Sequence, residues 1–490
     1  MSTQGLDEAL AAHHLPLIAG GYRVTGQATM TRQSPLGMAL PAQVICNAQD
    51  IDAAASVADR AFQLGPWKDL PRAQRKAILL RWAELLSQYL ETFSLLDCVE
   101  TGRALVNFRE DSIPKAIEAL RWFAELADKV EDRATFEGQA PGHMALMRRE
   151  PLGVVAAILP WNDPLVVYVW KVVPALVCGN AVIVKTSEFA HHSLVLATRL
   201  AHEAGVPADI LQLVTGDGAL TGAALVTHPL VAAIGFTGSS KTGRQIMVQA
   251  QHQSLKRVSL ECGGKGAFVV SDLCRDVVAA ARCLARHAFY NQGQICSAAT
   301  RAYVHREVHH AFLEALCEAA RDYLPSDPLQ GDTGVGFMIH RQAVDRVEQA
   351  IARARSQCFR LLAGGQTTHG GRAIMPTIFA DVPDAADISR QELFGPVLVI
   401  NAVDSVREAV SRANDSAYGL ACAIWSDDLS EAMSTSAALH AGTVHVNSYG
   451  EDGNGIPFGG VRDSGLGREK SIDTLDAYSF TKSISVRLKA

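Results

Sequence analysis

No two of the ten cysteines stand at CxxC spacing; they are scattered at 46, 98, 178, 262, 274, 283, 296, 317, 358 and 422 of a 490-residue chain. Such scatter excludes a zinc ribbon or a dithiol redox pair and reads as reduced thiols, mostly buried as small hydrophobes. Positive charge is also short: 45 Lys and Arg against 51 Asp and Glu leave a net charge of −6. Neither nucleic acid nor an anionic membrane is expected as a partner. The most apolar segment, 151–184, is interrupted by Pro160, Asp163, Pro164, Lys171 and Pro174, which argues against a membrane span. The opening MSTQGLDEALAAHHLPLIAGG has no basic stretch followed by an apolar one, so no secretory leader is expected and the cytoplasm is the expected compartment. Among 16 histidines, the pairs at 13–14, 191–192 and 309–310 lack partners at zinc-ligand spacing. They are expected on the surface or in helices, with no metal.

What is present is ordinary globular material, 48% hydrophobic and 20% charged, in a length that suggests two or three domains. Residues 71–102 read as one helix, with Pro71 at its first turn, apolar residues from Ile78 to Phe93 at helical spacing and Gly102 as the stop. From 152 onward, short β-branched runs at 154–159, 181–185, 210–214 and 231–236 alternate with helical stretches at 164–178, 190–204 and 239–250. That alternation predicts an α/β fold with a parallel sheet whose ligands bind beyond the strand carboxyl ends. KRVSLE (256–261) leads into CGGKG, beyond which 264–463 reads as a second α/β unit. The stretch near 130–150 and the tail 478–490 read as extended strands set apart from both cores.

Chemistry concentrates where strands end. PWNDP (160–164) follows the strand GVVAAIL, so Asn162 and Asp163 sit either at a working site or at a helix start in which Asp163 caps Pro164. GDGALTG (216–222) lacks the dinucleotide fingerprint spacing, whereas FTGSSKTGR (236–244) runs from a strand into a helix N-terminus suited to a pyrophosphate. Lys185 and Glu188 at another strand end suit ribose hydroxyls or a surface ion pair. Cys296 in NQGQICSAATR is a candidate nucleophile, and Glu261 in LECGGKG a candidate base.

PWN (160–162), FTGS (236–239), LECGGK (260–265), GQICSA (293–298), LFGP (393–396) and PFGG (457–460) together resemble the aldehyde dehydrogenase superfamily in order and spacing, from about residue 20 to the end. The resemblance implies a Rossmann-like parallel-sheet cofactor domain (1–128 and 152–263), an α/β catalytic domain (264–463) and a small β oligomerisation arm (129–151 and 464–490). It implies Cys296 as nucleophile, Glu261 as base, Asn162 as oxyanion donor with the Cys296 amide, and Lys171 near that asparagine. Cofactor contacts are implied for Leu159, Pro160 and Trp161, for Lys185 and Glu188 on the adenosine ribose, and for Gly218, Phe236, Gly238 and Ser239. Glu392 and Phe394 are implied on the nicotinamide ribose. A carboxylate at 188 favours NAD over NADP. Hydrolysis of a thioester is implied rather than transfer to coenzyme A, in a homodimer or homotetramer.

The departures bear on substrate. Asp163 stands where most relatives carry an aromatic wall, and SYGEDGNGIPFGG places Glu451 and Asp452 in a second lining segment. Three carboxylates near one channel would attract a cation, and Trp170 and Tyr449 would offer cation–π faces. An amino- or trimethylammonio-aldehyde is therefore expected; in motif the chain is similar to betaine, aminoaldehyde and γ-glutamylaminobutyraldehyde dehydrogenases. The alternatives are a neutral, aromatic or semialdehyde substrate, with the acids acting as caps and turns, or a catalytically silent binding protein.

Overall fold

A computed structural model describes residues 3–22, 28–136, 143–330, 334–450 and 453–487. Two open sheets carry the fold. The first runs in the order Gly21–Tyr22, Leu17–Ile18, Leu211–Val214, Ala181–Lys185, Val154–Ile158, Val231–Thr237, Arg257–Glu261, Gly465–Leu466. Its five inner strands are parallel. Val154–Ile158 and Ala181–Lys185 are buried at every position, which is why they read as continuous apolar runs rather than alternating ones. Register then decides function: Ile158 pairs with Lys185 and with Phe236, and Thr237 with Glu261. The carboxyl ends of four strands thus finish on one line.

The second sheet, Arg360–Ala363, Thr377–Ala380, Val397–Val403, Ala299–His305, Gly266–Val270, Ala421–Trp425 and Thr443–Val446, is parallel except for its first strand. A separate antiparallel sheet pairs Ser479–Arg487 with His143–Pro151, and that strand with Arg133–Thr135. No helix among the described residues is long and apolar enough to cross a membrane.

The single helix read over 71–102 is in fact two, Arg72–Gln88 and Leu90–Thr101, broken at Tyr89 (φ −103°, ψ 15°). Helical spacing of apolar residues continues across the break, so the pattern concealed it. Pro71 is the N-cap rather than the first helical residue, and Gly102 ends the second helix at φ 76°, a left-handed conformation that favours glycine. The pair His191–His192 is buried, not at the surface.

Asn180 fastens the arm to the first sheet. Its Oδ1 accepts from the Leu152 and Gly153 amides at 2.8 and 3.0 Å, and its Nδ2 donates to Ala175 and Tyr478 carbonyls at 3.0 and 2.8 Å. With no exposure there is no water to replace these partners. Asn180→Ala is expected to cost about 3 kcal/mol through orphaned backbone groups, read as a lower urea midpoint with unchanged slope.

Candidate active site

The aligned strand ends open into a cleft of about 810 Å³, whose opposite wall comes from the second unit. Leu159, Pro160, Trp161 and Asn162 leave the first strand along this cleft, and Phe236, Gly238 and Ser239 leave another. Ser239 is the N-cap of the Ser240–Ala250 helix, its Oγ accepting from the Thr242 amide at 3.2 Å. The positive end of that helix therefore faces the cleft. Gly218 borders it from a turn capped by Asp217.

Lys185 is buried with its ammonium 3.8 Å from the Glu188 carboxylate. This is not a surface ion pair, because burial pushes the lysine below its ordinary range. Trp161 meets Phe394 edge to face, ring centres 5.6 Å apart, so the two walls touch through residues picked independently from sequence. Sequence reading missed His340 and Arg346, which add cationic or polar groups to the far wall.

Cys296 precedes the Ala299–His305 strand on a loop whose residues Asn291, Gln292 and Gly293 all have positive φ (49°, 55° and 65°). Holding two non-glycine residues there costs on the order of 1–3 kcal/mol each. Side chains offset the strain: Gln292 Oε1 accepts from Ile374 N at 2.8 Å, and Gln294 Oε1 from Ile339 N at 3.0 Å. Asn162 Nδ2 donates to Gln294 O at 3.1 Å, tying the amide to the Cys296 loop and leaving its second N–H for the cleft.

Glu261 ends its strand with 3% exposure. Burial, with repulsion from Glu469 next, holds its carboxyl well above the usual range. Lys171 pairs with that buried Glu469 on the opposite side; Glu469 was not singled out by sequence, since nothing in GREKS marks it. Glu392 accepts from the Gly264 amide at 3.3 Å, and burial raises it to about 7. Glycine at 263 lets the Glu392 carboxylate come this close: a Cβ there would lie 1.9 Å from Oε2 and would displace it. Lys265 is fully buried, and burial followed by Arg301 lowers it to about 7.

The Aldehyde dehydrogenase family profile matches residues 27–484. NADP/NAD-dependent aldehyde dehydrogenase PuuC of Escherichia coli strain K12 is 42% identical over 90% of this chain and 88% of that protein. Aminoacetaldehyde dehydrogenase of Pseudomonas aeruginosa is 37% identical over 95% and 94%. An indole-3-acetaldehyde dehydrogenase solved with NAD+ superposes with a TM-score of 0.96, at 37% identity over all of both chains. The chain belongs to the aldehyde dehydrogenase family.

The substrate side of this aldehyde dehydrogenase differs from the sequence expectation. Asp163 occupies the N-cap position of the Pro164–Cys178 helix yet makes no capping hydrogen bond. Ser112 Oγ donates to it instead, and Arg103 lies 3.4 Å away. Arg103, 1% exposed, also donates to Tyr290 Oη at 2.5 Å, and that hydroxyl donates to Asp111 at 2.9 Å. The two aspartates, about a third exposed, thus cover a buried cation. Tyr449 is no substrate surface: at 1% exposure it stacks on Phe268 and donates to Ser297 O at 2.8 Å, next to Cys296. Trp170 packs on Phe458, and Lys470 already sits over its ring, 5.7 Å from the centre. The expected cation–π face is therefore taken by the chain itself. Glu451 and Asp452 lie outside the described residues.

Burial pushes the Cys296 thiol up to about 12, with Glu392 and then Glu261 adding repulsion. Without NAD, alkylation of Cys296 by iodoacetamide, followed by peptide mass spectrometry, is expected to keep rising beyond pH 9. Glu392→Gln should move the profile to lower pH, because a neutral neighbour no longer disfavours the thiolate. A rate plateau below pH 8 in the unaltered protein would contradict this account.

Proposed function

We propose that the protein oxidises an aldehyde bearing an amino or trimethylammonio group to its carboxylic acid, with NAD as hydride acceptor. The cleft fits the dinucleotide by its donor set: a helix N-terminus at Ser239 for the pyrophosphate, and Lys185 with Glu188 for the adenosine ribose. Glu392 and Phe394 would hold the nicotinamide ribose. The Glu188 carboxylate disfavours a 2′-phosphate, so NAD is preferred to NADP.

As the thiolate, its proton released to solvent, Cys296 Sγ adds to the aldehyde carbon, and the oxygen that gains charge is received by Asn162 Nδ2 and the Cys296 amide. NAD, when bound, would accept the hydride lost from that carbon, which leaves the acyl group on Cys296 as a thioester. Glu261 takes a proton from the hydrolysing water, and its raised proton affinity makes it a stronger base than an exposed glutamate. The carboxylic acid leaves and the thiolate is regenerated. The gathering of Cys296, Asn162 and Glu261 around one cleft is the observation that carries this reading and weighs against a silent binding protein. Glu261→Gln is expected to release a first equivalent of NADH and then turn over 10²–10⁴-fold more slowly, on the usual scale of a lost general base. Loss of the first equivalent as well would remove Glu261 from the deacylation step.

For substrate, the supporting observation is the pair Asp111 and Asp163, partly exposed beside Asn162 while Arg103 lies beneath them. Each carboxylate oxygen already has one partner or more, so an amine would share these oxygens rather than find one free. A neutral-aldehyde reading is favoured instead by the partners both aspartates already have, since Lys115 is also 2.6 Å from Asp111. Kinetics on paired aldehydes differing only in a terminal ammonium should give a kcat/KM at least about tenfold higher for the cationic member, one charged pair's worth. Asp111→Asn should erase most of that ratio; equal or better kcat/KM for the neutral member would leave the second reading standing. The three-stranded arm, whose Ser479–Arg487 strand is largely exposed, is our proposed surface for a homodimer or homotetramer.

A further inference from the structure

Glu100, at the end of the Leu90–Thr101 helix, is buried with no exposure, far in sequence from any cleft residue. Its carboxylate accepts from the His191 and His192 amides at 3.0 Å each, capping the N-terminus of the His192–Ala204 helix. Arg32 answers that charge. Its guanidinium lies 3.3 Å from Glu100 Oε1 and donates to the Glu100 carbonyl at 2.9 Å and to the Phe189 carbonyl at 2.8 Å. It also rests over the Phe189 ring, 5.5 Å from its centre, and that ring packs against His340 of the far wall at 4.9 Å.

The ring nitrogens of His191 and His192 come within 4.8 Å of Glu100 Oε1, a spacing that suits a metal ion. Arg32 decides against one. Its charge already sits on the same oxygen, and two amides take the remaining lone pairs. Burial, with His192 beside it, lowers His191 to about 4, so that ring adds no compensating charge near neutrality. The permanent cation of this cluster is the guanidinium.

Phe189 is the residue after Glu188, and Ser187, Glu188 and Phe189 all border the cleft. Between the strand end at Lys185 and the helix start at His192 the turn's own bonds are Ser187 Oγ accepting from Phe189 N at 3.1 Å, Ser187 O accepting from Ala190 N at 3.4 Å and the Lys185–Glu188 pair at 3.8 Å; Arg32 adds the tie to the Phe189 carbonyl from outside the segment. We propose that Arg32 is a built-in cation that positions the Ser187–Phe189 turn, and with it the Glu188 carboxylate, to receive the adenosine ribose. Arg32 is a positioning residue; it works through Glu188 and sets dinucleotide affinity while leaving the chemistry at Cys296 alone. The inference rests on the reading of Glu188 as the ribose carboxylate.

The test is a double-mutant cycle on the full chain, with KM for NAD, kcat and the NAD/NADP preference as readouts. Arg32→Ala should raise KM for NAD about tenfold with kcat within about twofold, and Glu188→Ala should raise KM and narrow the NAD/NADP preference. Together they should do little more than Glu188→Ala alone. Because Arg32→Ala strands a buried carboxylate, Arg32→Ala/Glu100→Gln is made alongside; it should fold and still show the raised KM. An unchanged KM in that folded variant, a fall in kcat instead, or fully multiplicative effects of positions 32 and 188 would overturn the role of Arg32 alone. Unchanged KM and cofactor preference in Glu188→Ala would overturn the ribose reading and this inference with it.

Discussion

Lys171, with no exposure at all, lies against the equally buried Glu469, and the chemistry of the cleft depends on that pair. Two charges withdrawn from water cost several kcal/mol each, which only close pairing and further polar neighbours offset. Glu261 stands beside them and feels both. Glu469 pushes its proton affinity up and Lys171 pulls it down, on top of the dominant effect of burial. The proton affinity of the proposed base is thus set by a residue from the Pro164–Cys178 helix and another from the C-terminal segment. Loss of either partner would leave an uncompensated buried charge near Glu261, so the pair constrains folding and the proposed chemistry at once.

Strand register supplies the other requirement. Because Ile158, Lys185, Phe236 and Glu261 finish on one line, every loop that follows a strand end enters the same cleft. The second unit then adds Cys296 on a strained but heavily pinned loop. The Trp161–Phe394 contact and the Asn162–Gln294 hydrogen bond join the walls on either side of the reacting thiol. Orientation is therefore stored in backbone placement, and the side chains need little reorganisation to act.

Features written locally were legible in the sequence. Apolar β-branched runs marked the parallel strands, and a proline after Asp163 marked a helix start. What depended on distant partners was not. Asp163 looked like a cap because the Asp-Pro pair is local, whereas Ser112 and Arg103 come from about fifty and sixty residues away. Tyr449 and Trp170 looked like exposed aromatic faces, but burial under Phe268 and the approach of Lys470 are tertiary facts. The break at Tyr89 escaped for the opposite reason, since both flanking helices keep the same apolar period.

One short helix connects the two ends of the cleft. Leu90–Thr101 carries Asp97 and Glu100, and Arg103 follows it directly. Burial holds the Asp97 carboxyl, one turn before Glu100, well above the ordinary carboxylate range. Glu100 is balanced by Arg32, next to the proposed ribose turn, and Arg103 by Asp111 and Asp163, next to the proposed aldehyde end. Each charge is compensated within its own cluster, so opposite-signed buried groups, Glu100 and Arg103, stand three residues apart in the chain. A shift of that helix would move both at once, which makes its glycine stop at 102 and its packing on the His192–Ala204 helix part of the site's geometry rather than distant scaffolding.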